Sequence, residues 1–221
     1  MPKTPKYKHY IWELPVRICH WTNVFSILVL AVTGFFIGSP YNFGGSASDF
    51  SMGWLRFVHF TAGYVFLVSV VSRIIWSLIG NKYASWKEFF PFATAVGRKK
   101  MIKMLRFYAF FDRKVPETFG HNPMATTAYV GLFGLYLVMI LTGFSLYAQY
   151  NPDGLMYKSL GFMYVLFSSQ WIRLIHHLGL WFIAGFIVNH AYSAVLMDVK
   201  EHDGEISSIF SGYKYRINKP E

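Results

Sequence analysis

Four long apolar stretches alternate with polar segments along the chain. They run over about Val16–Gly38, Trp54–Gly80, Met124–Tyr150 and Trp171–Met197. Each is long enough, as a helix rising 1.5 Å per residue, to cross a hydrocarbon layer of about 30 Å. Pro15 precedes the first stretch and Asn122-Pro123 the third. Both are helix-start signals, because asparagine caps and proline tolerates the first turn. The segments between them differ. Ser39–Gly53 is rich in glycine and serine, residues 81–123 form a long loop, and Asn151–Ser169 is short and opens on an Asn-Pro-Asp-Gly turn. The pattern predicts an all-α membrane protein, a four-transmembrane-helix bundle in which residues 1–221 form a single membrane domain.

Composition agrees. The chain is 54% hydrophobic and 14% charged, against about a quarter charged in soluble domains. The net charge of +10 changes the picture only through its placement. The long loop holds nine Lys/Arg against three acids, and both tails also carry Lys or Arg. Ser39–Gly53 has no Lys or Arg and Asn151–Ser169 has one Lys. The positive-inside rule then puts both termini and the long loop in the cytoplasm. Topology and contact with anionic lipid account for the basic excess without nucleic acid. Within that loop, Trp86–Phe111 mixes aromatic and basic residues and predicts an interfacial amphipathic helix. The first apolar run is too long for a cleavable signal. Cys19 is the single cysteine and reads as a packing residue. C-x-x-C-H does not occur, so covalent c-type haem is not indicated.

The candidate chemistry lies in histidines inside the spans. His176 and His190 are fourteen residues apart on the fourth span. That is about 21 Å of rise with the phase closing to within about 40°, so both rings leave one face. Imidazoles inside a bilayer are costly and mark function. His20 lies about one turn into the first span and His59 about one turn into the second. In the topology set by Lys and Arg, depth pairs His59 with His176 toward the outside and His20 with His190 toward the cytoplasm. Two bis-histidine b haems fit that arrangement, and filling both axial positions favours electron transfer over oxygen binding.

Arg17, Arg56 and Arg173 each precede a candidate ligand by three residues, as R-I-C-H, R-F-V-H and R-L-I-H. An i, i+3 pair shares a helix face, and a guanidinium there suits a haem propionate. The bland alternative is an interfacial anchor. Gly63 and Gly179 lack side chains that would crowd a porphyrin. His177 points about 100° away from His176 and suits a hydrogen-bonding or interface role, while His9 and His202 lie in polar tails. His121 and Asn122, just before the third span, serve either as a helix start or as a polar rim for a quinone carbonyl. The first and third spans also share a fragment, LVLAVTGFF (Leu28–Phe36) and LVMILTGFS (Leu137–Ser145). Its Gly34 and Gly143 allow close approach of a helix or a flat ring.

R-I-C-H-W, R-F-V-H-F-T-A-G, G-H-N-P-M-A, H-H-L-G-L-W…N-H and the tail S-G-Y-K-Y together resemble the membrane-bound cytochrome b subunit of nickel–iron uptake hydrogenases, from about His9 to Tyr215. The resemblance implies a bacterial inner-membrane protein with two haem b. Electrons from hydrogen oxidised outside the cytoplasm would reach the outer haem (His59, His176), pass to the inner haem (His20, His190) and reduce a quinone, menaquinone being expected, near Asn122. It also implies partners, the hydrogenase small iron–sulfur and large nickel–iron subunits. Relatives of this type often carry glutamine where this chain has Thr126. The rivals are the equivalent subunit of a formate dehydrogenase or other periplasmic oxidoreductase, a proton-relay transporter without haem, and a haem-free anchor.

Overall fold

The computed structural model describes residues 7–39, 50–112 and 123–216. In chain order its elements are β1 (Tyr7–Tyr10), α1 (Leu14–Gly38), α2 (Ser51–Ile79), α3 (Ala95–Tyr108) and α4 (Pro123–Ala148), then α5 (Leu155–Leu160), α6 (Phe162–Leu166), α7 (Ser169–Glu201), α8 (Glu205–Ser211) and β2 (Tyr213–Arg216). The helices α1, α2, α4 and α7 are the four predicted spans, each apolar and long enough to cross a membrane. Helix is the form such runs take, because in lipid every backbone N–H and C=O must be satisfied within the segment. The bounds shift by a few residues: α7 continues through Asp198 and Lys200 to Glu201, and α4 stops at Ala148 before the turn at Asn151.

The described residues divide into two compact units. One gathers residues up to Ile18, Arg73–Gly134 and Gly185 onward; the other gathers Cys19–Ser72 and Leu135–Ala184. In the first unit the two tails are built into structure that the hydropathy pattern does not predict. β1 pairs antiparallel with β2, Tyr7 opposite Arg216 and Tyr10 opposite Tyr213. Gly212, at φ +89°, caps α8 and turns the chain into β2. Its carbonyl accepts the N–H groups of Ile11 (2.8 Å) and Trp12 (3.1 Å). Trp12 is buried and donates from Nε1 to Ser208 Oγ at 2.9 Å. The Glu13 carboxylate accepts from Trp76 Nε1 (2.9 Å) and Asn81 N (2.8 Å), while Asn81 Nδ2 donates to Ile11 O (3.0 Å). Lys214, 2% exposed, pairs with Glu205 and sits 5.6 Å from the Trp12 ring centroid. A lysine this buried is tolerated because its charge is paired.

The predicted interfacial helix is present but shorter than Trp86–Phe111. Two 3₁₀ turns, Trp86–Phe89 and Pro91–Ala93, precede α3. Pro91 cannot sit inside a helix, and Thr94 restarts it by accepting from Gly97 N at 3.0 Å. Gly97 is required there: a Cβ would lie 1.9 Å from the Pro91 carbonyl oxygen. Helix α3 buries Met104 and exposes Val96, Ile102 and Leu105 beside Lys99, Lys100 and Lys103, the mixed face of an interfacial helix.

The second unit holds the Cys19–Gly38, Ser51–Ser72, Leu135–Ala148 and Ser169–Ala184 segments of the long helices. Cys19 is buried, as expected of a packing residue. The Asn151–Ser169 loop contains two short helices rather than the turn alone. Tyr164 of α6 fastens it by donating to Ser145 O at 2.7 Å, and its ring stacks on Tyr157 with centroids 5.9 Å apart.

Candidate functional site

In the second unit α1 meets α2 at His59 through a polar contact. Thr33 Oγ1 lies 2.7 Å from the Val29 carbonyl and 2.8 Å from His59 Nδ1. The hydroxyl has one proton and directs it to the carbonyl four residues back, a habit of helical threonine. It therefore accepts from His59 Nδ1–H. The tautomer follows: Nδ1 carries the proton and Nε2 presents a lone pair. Gly34, the next residue, makes room, because a Cβ there would stand 3.3 Å from His59 Cε1.

Helix α4 repeats the arrangement toward α7. Thr142 Oγ1 donates to Val138 O (2.7 Å) and accepts from His176 Nδ1 (2.9 Å). A Cβ on Gly143 would stand 2.9 Å from His176 Cε1. His59 and His176 each therefore arrive with Nδ1 engaged and Nε2 free, the state in which histidine ligates a metal.

The chemistry of this donor set fits a haem: two neutral imidazoles, both tautomers set, from two different helices. Gly63, four residues beyond His59, leaves the space of a Cβ open. Gly179 does not serve in that way. Its Cβ would stand 2.3 Å from Met139 Sδ, so this glycine makes room for α4 packing rather than for a ring. His177 faces Gly38 of α1, whose Cβ would lie 3.4 Å from His177 Cε1, an interface position as expected.

Residues 11–212 match a model of the prokaryotic cytochrome b561 family. The chain belongs to that family. A cytochrome b implies haem b as its cofactor. The chain is also 41% identical over 208 residues to a protein of Bradyrhizobium diazoefficiens named "Probable Ni/Fe-hydrogenase B-type cytochrome subunit", covering 92% of this chain and 84% of that one. A protein of the same name from Cupriavidus necator is 40% identical over 93% and 86% of the two chains. The "Probable Ni/Fe-hydrogenase 1 B-type cytochrome subunit" of Escherichia coli K12 is 37% identical over 93% and 90%.

Within this cytochrome b561 fold the other predicted residues are distributed as follows. His20 lies in the second unit, partly buried, edge-on to Trp21 with ring centroids 5.3 Å apart. His190 lies in the first unit, stacked on Phe186 at 5.7 Å and 9°. Tyr129 of α4 brings its hydroxyl to 3.5 Å from His190 Nδ1, at the outer limit for a hydrogen bond. Arg17 donates from Nη1 to the Phe210 carbonyl, and its Nε is buried with no hydrogen-bond partner among the described residues. Arg56 and Arg173 are exposed, and Arg173 acts electrostatically on Tyr164, whose phenol burial pushes above its ordinary range. Thr126 is buried at 1% exposure. His121 and Asn122 lie outside the described residues. Thr33 and Thr142 are the site residues that histidine counting misses. Their signal is the repeated Thr-Gly of the shared fragment.

Proposed function

We propose that this chain is a dihaem cytochrome b, a single membrane domain that anchors a nickel–iron hydrogenase and passes electrons from it to quinone, with menaquinone as the expected acceptor. The observation that carries the reading is the pair His59 and His176, each with Nδ1 committed to a threonine and Nε2 free. The hydrogenase partner, through its small iron–sulfur and large nickel–iron subunits, is supported by the names of relatives at 37–41% identity. No observation favours the formate dehydrogenase or haem-free readings.

His59 and His176 would hold the outer haem, His20 and His190 the inner. The haems supply one-electron redox change when bound. The rest of the work belongs to the chain. The histidines fix the ring planes from helices that packing holds in place. Arg17, Arg56 and Arg173 would neutralise propionates at the membrane surfaces. The buried Nε of Arg17 supports this, since a guanidinium N–H out of water favours an anionic acceptor. Asn122 and His121 would hydrogen-bond the quinone at the cytoplasmic side, where protons are available. Both termini and the 81–123 loop would lie in the cytoplasm of a bacterium, with the four helices crossing its inner membrane in contact with lipid.

Haem stoichiometry on the purified chain tests the reading. A pyridine haemochrome assay is expected to find two non-covalent b haems, with the His20→Ala and His59→Ala variants each losing one. A folded preparation that binds no haem would remove the proposal.

A further inference from the structure

The two halves of the second unit repeat one another more deeply than their shared fragment requires. Thr33 and Gly34 of α1 meet His59 of α2; Thr142 and Gly143 of α4 meet His176 of α7. The next residue in each fragment crosses to the other ligand helix. Phe35 packs edge-on against Trp181, five residues after His176, at 5.6 Å and 76°. Phe144 packs edge-on against Tyr64, five residues after His59, at 4.9 Å and 72°. Four residues beyond each glycine the correspondence continues. Gly38 faces His177, the residue after His176, and Tyr147 packs on Phe60, the residue after His59, at 4.5 Å. Thus α1 and α4, which carry neither of these two ligands, hold both of them in the same way.

We propose that Thr33-Gly34 and Thr142-Gly143 are a duplicated positioning device that orients the two outer-haem histidines and sets that haem's potential from the helices that do not ligate it. The inference rests on the dihaem reading above. Thr33 and Thr142 are not ligands. They act through the imidazoles by accepting Nδ1–H, which makes each ring a stronger electron donor through Nε2. A more electron-rich ligand favours the more positive ferric iron, so the device holds the potential down. The glycines let the threonine helix approach until the Cε1 edge of the ring lies against it. The ligating Nε2 does not touch the hydroxyl, so removing the hydroxyl reads as a shifted midpoint or, where ring orientation fails, as a lost haem.

The test uses the full chain, purified with its haem, as wild type, Thr33→Val, Thr142→Val, Thr33→Ser and Thr142→Ser. The readouts are haem count, an optical redox titration and the low-spin EPR signal. Valine keeps the shape and removes the acceptor; serine keeps the acceptor. Both valine variants are expected to raise the midpoint of the same haem, by about a three- to tenfold higher ferrous-to-ferric ratio at fixed potential, and to leave the other haem unmoved. The serine variants are expected to titrate as wild type. Loss of one haem in the valine variants with retention in the serine variants also supports the device. Unmoved midpoints, equal shifts in valine and serine variants, equal haem loss in both, or shifts in two different haems would overturn it. A wild type without haem sinks the dihaem reading, and this inference with it; two haems with unmoved midpoints sinks this inference alone.

Discussion

At the scale of residues, the two glycines beside His59 and His176 are not equivalent. A Cβ on Gly34 would meet His59 Cε1 at 3.3 Å, a tight contact that a small ring shift relieves, whereas a Cβ on Gly143 would stand 2.9 Å from His176 Cε1. At the second distance the ring must move, and the hydrogen bond to Thr142 goes with it. Gly143→Ala is expected to lose the outer haem, and Gly34→Ala to keep it with an altered low-spin EPR signal; haem count and EPR on the two purified variants check this. Lys214 makes a different demand. Removing one member of a buried ion pair strands the other, at a cost of about 3–5 kcal/mol when both are fully buried. Glu205 is partly exposed, so Glu205→Gln is expected to cost less, about 1–3 kcal/mol. Limited proteolysis is expected to cut the C-terminal tail of that variant first.

At the scale of elements, the four spans and the interfacial helix follow from hydropathy and charge, which are local properties, and the structure keeps all of them. It moves their ends by a few residues and shortens the interfacial helix, because Pro91 and the Thr94 cap set its start. The small elements are another matter. Nothing in Tyr7–Tyr10 or Tyr213–Arg216 alone marks a strand; each becomes one because the other is there to accept its hydrogen bonds. The turn that joins α8 to β2 depends on Gly212, at φ +89° and with a Cβ that would lie 2.7 Å from the Trp12 carbonyl oxygen. Gly212→Ala combines left-handed strain of about 1–2 kcal/mol with that clash. It is expected to release β1 and β2 together, seen as loss of amide-exchange protection in both strands while the long helices keep theirs.

At the scale of the whole molecule, the β1–β2 pair places the two tails side by side, which agrees with an even number of crossings. We propose, from the distribution of Lys and Arg, that this side faces the cytoplasm. Fluorescent-protein fusions at either terminus are therefore expected to fold and fluoresce, and alkaline phosphatase fusions at the same points to stay inactive. If the quinone is reduced on that side, each turnover moves charge across the bilayer. Vesicles holding the complete complex are expected to build a membrane potential when hydrogen reduces quinone, measured with a potential-sensitive dye.

Hydropathy was enough for the all-α class and the number of spans, because these depend on residue type and helical period alone; histidine spacing only nominated four candidate ligands. Spacing along one helix says which residues share a face but not what that face meets. The partners of the ligands were therefore out of reach: Thr33 and Thr142 read as ordinary membrane-helix residues until α1 is packed on α2 and α4 on α7. Gly179 looked like room for a ring for the same reason and instead makes room for Met139. The repeated Thr-Gly was visible as a pattern. Its meaning, one hydroxyl and one missing side chain against each imidazole, exists only once helices distant in sequence are brought together.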